Sequence, residues 1–103
     1  MHARVTRIRG DAARMEAGAR WFQEELLPQL ETMDGYSDGM LMIDRDHGEC
    51  LAVTFWETPE ALRASEARAE EMRTAGANQL EGAIAMVERF EVAVQASSLH
   101  AAH

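Results

Sequence analysis

The sequence predicts an α+β domain with the ferredoxin-like order β-α-β-β-α-β, in which a four-stranded antiparallel sheet carries both helices on one face. Two stretches have an apolar residue every three or four positions, as amphipathic helices do, and four other stretches are strand-like. The two helical stretches separate the first strand from the second and the third from the fourth. The β-branched and aromatic run at 51–56 is followed at once by helix-start residues. A chain of 103 residues forms one domain, expected over 1–95, and the patternless residues 96–103 are expected to form a flexible tail.

The first half of the chain reads as a strand followed by a helix. Alternation over Ala3–Ile8 predicts the strand, and Gly10 ends it. Asp11 is a candidate N-cap for a helix from 12 to about 27. Pro28 is expected to kink that helix or to end it. One apolar stripe runs along the helix and is formed by Met15, Ala19, Phe22, Leu26 and Leu30.

A hairpin follows in the middle of the chain. The turn Met33–Tyr36 leads into the second strand, Gly39–Asp44. The tight connection Arg45–Gly48 then leads into the third strand, Glu49–Trp56.

The second helix is predicted from Thr58 to about Thr74. Thr58 can accept a backbone N–H as N-cap, and Pro59 suits the first helical position. A loose segment containing Gly76, Asn78 and Gly82 is expected next, and the long fourth strand should cover Ala83–Val94.

Charge and composition exclude several classes of protein. The chain has eighteen acidic residues and ten arginines, and its net charge of −8 argues against nucleic-acid binding. No apolar run approaches the roughly 20 residues that cross a bilayer, and no signal-peptide core is evident. A single cysteine, Cys50, rules out an internal disulfide, so a reducing, cytoplasmic setting is expected.

Both faces of the predicted sheet carry apolar residues. In the second strand Leu41 and Ile43 oppose Met40 and Met42. The third strand sets Leu51, Val53 and Phe55 against Cys50, Ala52, Thr54 and Trp56. On the fourth strand the pattern predicts one face formed by Ile84, Met86, Phe90, Val92 and Val94. Because two helices cover only one face, we expect a homodimer that packs two sheets face to face.

Four segments resemble those of the antibiotic biosynthesis monooxygenase superfamily of dimeric α/β barrels. They are Leu27-Pro28, Met33–Gly39, Thr54–Leu62 and Val87–Val92, and the similarity extends over about 3–94. The resemblance implies a dimer and one of several activities, among them cofactor-independent quinone-forming oxygenation, haem degradation and isomerisation. Members of the haem-degrading branch share an asparagine on strand one and a tryptophan and histidine on helix two. This chain has neither set, which disfavours that branch.

Candidate ligand-binding residues are large and apolar. They are Trp56, Tyr36, Trp21, Met40, Met42 and Met72, which could grip a flat aromatic substrate or simply fill the core. We expect no metal and no cofactor, because the histidines lack ligand spacing and one cysteine stands alone. No catalytic residue is assigned: His47 in the hairpin loop could serve as a general base, since histidine titrates near neutral pH, but a solvated loop side chain explains it better.

Two functions remain open on these grounds. The first is cofactor-independent oxygenation of a small electron-rich phenol or anthrone, which demands few special residues. The alternative is a non-catalytic, small-ligand-binding or stress-associated dimer. A strong general base with an orienting partner would separate them, and none stands out in the sequence.

Overall fold

The computed structural model describes residues 1–96, and these form the predicted ferredoxin-like domain. Four antiparallel strands, β1 (His2–Arg9), β2 (Tyr36–Asp44), β3 (Glu49–Trp56) and β4 (Ala83–Glu91), lie in the order β2-β3-β1-β4. Helical segments connect β1 to β2 and β3 to β4, and they pack on one face. Of the predicted tail only Ala96 is described, and it is exposed and irregular. Residues 97–103 lie outside the described part of the chain.

The first helix continues past the predicted boundary. A 3₁₀ turn, Ala12–Arg14, leads into α1 (Met15–Trp21), a π-helical turn (Phe22–Leu26) and α2 (Leu27–Leu30). The Asp11 cap is confirmed, because its carboxylate accepts from the Ala13 N–H at 2.9 Å.

The expected end near Leu27 is wrong, since Pro28 lies inside a helix that runs to Leu30. The Leu27 N–H donates to the carbonyl of Phe22, five residues back, and this wider turn makes room for the proline ring.

The second helix is also longer than predicted and is broken once. It comprises α3 (Pro59–Ala64) and α4 (Glu66–Gln79), which meet at Ser65. The Thr58 cap is confirmed, because its hydroxyl accepts from the Ala61 N–H at 3.1 Å. The expected loose segment at Gly76 and Asn78 is helical instead. Gly76 is buried where the helix passes close to Trp21, so tertiary packing outweighs the low helix propensity of glycine.

The fourth strand differs from its predicted pattern in length and in facing. It ends at Glu91, and residues 92–96 are irregular. Arg7 pairs with Met86 but its neighbour Ile8 pairs with Ile84, so a bulge separates the two. The bulge turns Ile84 to the helix-covered side, and the expectation that it shares a face with Met86 and Phe90 is therefore wrong.

The core lies between the sheet and the helices. Its largest fully buried side chains are Trp56 and Met15. Leu41 and Ile43 of β2 pack into this core as predicted, opposite Met40 and Met42. Within residues 1–96 no helix combines the length and the apolar character needed to cross a membrane.

Candidate functional site

A cavity opens between the helix-covered face of the sheet and the helices, and we call it the helix–sheet cavity. Its floor is formed by inward residues of β1 and β3, including Thr6, Ile8 and Ala52. The cavity has a volume of about 70 Å³, which is room for several waters. Most of the exposed lining is apolar. The cavity therefore suits a small, largely apolar molecule.

The π-helical turn shapes one wall of this cavity. Trp21, Phe22 and Leu26 line it, and all three lie at the end of α1 or in the π turn. A π turn shifts the angular position of the residues that follow it, and such turns are frequent at functional sites. Met72 of α4 completes the apolar lining from the second helix.

Part of the lining is cationic. Arg4 of β1 is 3% exposed, and its Nη2 donates to the Leu62 carbonyl and to Ser65 Oγ, each at 2.9 Å. The same nitrogen lies 2.8 Å from Glu66 Oε2. Burial lowers the pKa of Arg4, and the hydrogen bond to Glu66 opposes that effect. Arg4 thus stays paired beneath the junction of α3 and α4.

Glu66, the first residue of α4, forms ion pairs with several arginines. Arg89 of β4 donates to both of its carboxylate oxygens at 2.7 Å, and Arg4 donates to one of them. These bonds, with that of Arg89 foremost, lower the pKa of Glu66 to about 2, although desolvation acts in the other direction. Glu66 is therefore ionised at neutral pH.

Arg73 also lines the cavity, one residue after Met72. Its side chain is 14% exposed, and its Nη1 is 3.9 Å from Glu66 Oε1. Within the described part of the chain, this nitrogen is buried without a hydrogen-bond partner.

Among the residues that line the cavity, the titratable ones are Arg4, Arg73 and Cys50. Burial raises the pKa of the Cys50 thiol to about 11, so it is protonated at neutral pH. His47 is not on the cavity; its ring is exposed on the hairpin and lies 2.8 Å from Asp44 Oδ2. Among residues 1–96, no histidine, tyrosine or carboxylate lines the cavity to act as a general base.

The structure brings together only part of the predicted ligand-binding set. Trp21 and Met72 line the cavity. Trp56 and Tyr36 lie in the adjoining core, where their ring centroids are 5.8 Å apart in an edge-to-face arrangement. Trp56 is completely buried, and its Nε1 donates to Thr54 Oγ1 at 2.9 Å.

Met40 and Met42 lie on the opposite face of the sheet, paired with Val53 and Leu51. The reason is the pleat, since their odd-numbered neighbours on β2 face the helices.

Arg4 and Arg73 are candidate site residues that the sequence pattern did not single out. Each carries a usable signal in the sequence. Arg4 alternates with the inward-facing Thr6 and Ile8 on β1. Arg73 follows Ala69 by four positions, on the inner stripe of its helix. A charge on an otherwise apolar stripe indicates either a buried ion pair or a ligand contact.

The donor atoms of the cavity do not fit haem or a metal ion. Haem iron is commonly held by histidine, a cysteine thiolate or tyrosinate, whereas within the described part of the chain no histidine or tyrosine lines the cavity and Cys50 is protonated. Residues 1–96 contain no cluster of three His, Cys, Asp or Glu side chains placed to hold a metal.

The sheet order and the two helical connections give a fold that this chain shares with a putative antibiotic biosynthesis monooxygenase of Deinococcus radiodurans, with a TM-score of 0.70 at 14% identity over 96% of this chain and 99% of that one. The resemblance drawn from the sequence is confirmed at the level of fold. The haem degrader MhuD of Mycobacterium tuberculosis, solved with two haems, superposes with a TM-score of 0.73 at 21% identity over 93% of this chain and 99% of that one.

Two oxygenases have the same fold at similarly low sequence identity. The monooxygenase ActVA-Orf6 of Streptomyces coelicolor, solved with nanaomycin D, has a TM-score of 0.66 and 16% identity over 93% of this chain and 92% of its own. SnoaB of Streptomyces nogalater, a cofactor-independent oxygenase, has a TM-score of 0.59 and 19% identity, covering 93% and 95%. Identities this low establish the fold and no activity.

No protein-family model matches the chain. The uncharacterized protein Rv2558 of Mycobacterium tuberculosis is 33% identical over 94 residues, which are 91% of this chain and 39% of that protein. The chain therefore spans about two fifths of the length of this relative.

Proposed function

We propose that this protein is a cofactor-independent monooxygenase that oxidises a small electron-rich aromatic substrate in the helix–sheet cavity. The observation that carries the proposal is the cavity itself, apolar in most of its lining and walled by Trp21 and Met72. Support also comes from SnoaB, a cofactor-independent oxygenase with the same fold. In this proposal Trp21 and Met72 contact the substrate, and Trp56 with Tyr36 forms the packed wall behind them.

The reaction asks little of the protein. An anthrone or phenol loses a proton, and its anion transfers one electron to O₂. The resulting substrate radical and superoxide combine at carbon to give a peroxide anion. This anion takes up the proton released in the first step, and the hydroperoxide then loses water to leave a new carbonyl group. Overall, an anthrone and O₂ give an anthraquinone and water. The chain holds the ring against Trp21, excludes bulk water and stabilises the anion.

The alternative is a non-catalytic small-ligand-binding protein, such as a stress-associated one. A specific observation favours it, because the titratable groups on the cavity are two arginines and a protonated thiol. These groups could bind an anion, but among the described residues they supply no general base. In the monooxygenase reading, the substrate must then be acidic enough to ionise with electrostatic help alone.

The open face of the sheet supports a homodimer. It carries half-buried apolar side chains on all four strands, and Met42 and Phe90 are 47% and 50% exposed. A second copy packed on this face would cover them in the manner of a dimeric α/β barrel. We place the protein in the cytoplasm, where reducing conditions keep a free thiol such as Cys50 unpaired.

Oxygen uptake with anthrone as substrate tests the proposal. The wild-type protein should accelerate uptake and produce anthraquinone, and Met72→Ala should lower kcat/KM by about tenfold because the apolar contact is lost. Met86→Ala is the matched control, since Met86 lies on the other face of the sheet. Binding of anthrone without any protein-dependent uptake would favour the non-catalytic alternative. Absence of binding would contradict both.

A further inference from the structure

Arg73 brings a guanidinium group, one of whose nitrogens makes no hydrogen bond in the described part of the chain, to the wall of the helix–sheet cavity. Its side chain lines the cavity and is 14% exposed, and its Nη1 is buried without a hydrogen-bond partner in the described part of the chain. Its ion-pair partner, Glu66 Oε1, lies 3.9 Å from Nη1, which is too far for a hydrogen bond. A buried charged donor that makes no bond is costly, so a group that accepts from it is expected.

Glu66 does not satisfy this nitrogen, because its Oε1 lies 3.9 Å from Arg73 Nη1 and accepts from Arg89 instead. Arg89 bonds both of them at 2.7 Å, and Arg4 bonds Oε2 at 2.8 Å. Three guanidinium groups thus surround one carboxylate. The cluster is formally positive although the chain as a whole carries a net charge of −8. A water molecule could accept from Nη1, but it would leave this local excess of positive charge uncompensated.

We propose that the helix–sheet cavity binds an apolar carboxylate whose anionic head accepts hydrogen bonds from Arg73. The inference rests on the proposed function in one respect, namely that this cavity holds the ligand. The cavity has the matching polarity, with Arg4 and Arg73 in its lining and an otherwise mostly apolar wall. A guanidinium forms paired, charge-assisted bonds with a carboxylate, and these strengthen where water is excluded.

The body of the ligand is aromatic or aliphatic, and the two share the same head-group chemistry. Trp21 and Phe22 offer ring faces to an aromatic acid, while Leu26 and Met72 accept an alkyl chain equally well. The test therefore uses one acid of each kind, 2-naphthoate and octanoate, together with their uncharged methyl esters.

Calorimetric titration of the purified chain at neutral pH tests the inference. At least one acid should bind about tenfold or more tightly than its own methyl ester, since a charge-assisted bond is gained. Arg73→Met should abolish this preference and leave ester binding unchanged. The matched control is Arg68→Met, an exposed arginine on the same helix that bonds Gln29, which should keep the preference.

Equal binding of acid and ester by the wild type, no binding of either acid, or an unchanged preference in Arg73→Met would overturn the inference. Arg73→Met should melt at or above the wild-type temperature, because it removes an unpaired buried donor; should it fail to fold, Arg73→Gln makes the same test. If the protein oxidises anthrone but does not prefer acids to their esters, the proposed function holds and this inference fails. Acid binding through Arg73 without oxygen uptake would leave this inference standing and remove the monooxygenase.

Discussion

Arg4 Nη2 lies 2.8 Å from Glu66 Oε2, and this contact ties a central strand of the sheet to the first residue of α4. Arg89 of the edge strand β4 holds the same carboxylate from the other side. One glutamate therefore fixes the long helix to two neighbouring strands. Because Arg73 follows on the same helix, the cluster also sets where that arginine meets the cavity wall.

Acid should weaken the fold through Glu66. Its pKa falls from an ordinary 4.5 to about 2 in the folded chain, chiefly through Arg89 and then Arg4. A lowered folded pKa means that the stabilisation is complete above the unfolded value and is lost as pH falls from about 4.5 towards 2. Urea unfolding between about pH 6 and pH 3 should show this loss. Glu66→Gln should be less stable at neutral pH by about 2 kcal/mol and should lose part of the acid dependence, whereas Glu70→Gln, an exposed neighbour, should behave as wild type.

Gly76→Ala should stabilise the protein and narrow the cavity. A Cβ at Gly76 would lie 3.5 Å from Trp21 Cζ3 and 3.7 Å from Ile8 Cδ1, which are ordinary contacts. Alanine inside a helix also gains about 0.5–1 kcal/mol over glycine. The matched control is Gly18→Ala, where the new Cβ would collide with the buried Leu80 side chain and lower the melting temperature. Equal effects of the two substitutions would contradict the packing described here.

Substitutions at the two tryptophans should affect different properties, the free energy of unfolding at Trp56 and ligand binding at Trp21. Trp56→Ala empties a fully buried core position and should cost about 3–5 kcal/mol. Trp21 is half-buried on the cavity wall, so Trp21→Ala should cost clearly less. Since the chain has only these two tryptophans, Trp21→Phe should remove most of the fluorescence quenching caused by an aromatic ligand, and Trp56→Phe should retain it. Quenching that disappears only in Trp56→Phe would place the ligand elsewhere.

Phe90→Glu should convert the proposed dimer into a monomer. Phe90 is 50% exposed on the open face of the sheet, opposite Ala3, and a charge there would be buried by a second copy. Light scattering should give twice the 11.5 kDa chain mass for the wild type and the chain mass itself for the variant. Ile84→Glu is the control, because Ile84 is 39% exposed but lies across the bulge on the other face. A wild-type protein that stays at the chain mass would refute the dimer.

Local signals account for the parts of the fold that could be predicted. The Asp11 and Thr58 caps satisfy backbone donors within three residues of themselves, so their neighbours suffice to identify them. Alternation on β2 correctly separated Leu41 and Ile43 from Met40 and Met42, because the pleat repeats every two residues. These features together predict the element order and hence the superfamily fold.

Local sequence signals could not predict that both helices extend beyond their expected C-terminal ends. The π turn before Pro28 and the helical path through Gly76 depend on how these segments pack, and packing outweighs the local preference of proline or glycine. The bulge in β4 depends on its pairing with β1, and it moved Ile84 to a different face.

The sequence by itself determined the strand and helix order, the caps, the turns at Gly35 and Gly48, and the excess of apolar surface on the sheet. Only the tertiary structure decided which large side chains meet at the cavity. Trp56 and Trp21 look alike in the sequence, yet one fills the core and the other lines the cavity. Likewise, Arg73 is a candidate anion contact only because Arg4 and Arg89, and not Arg73, hydrogen-bond to the Glu66 carboxylate. The physical reason is that burial and charge pairing are made between residues far apart in the chain, at distances that local periodicity does not specify.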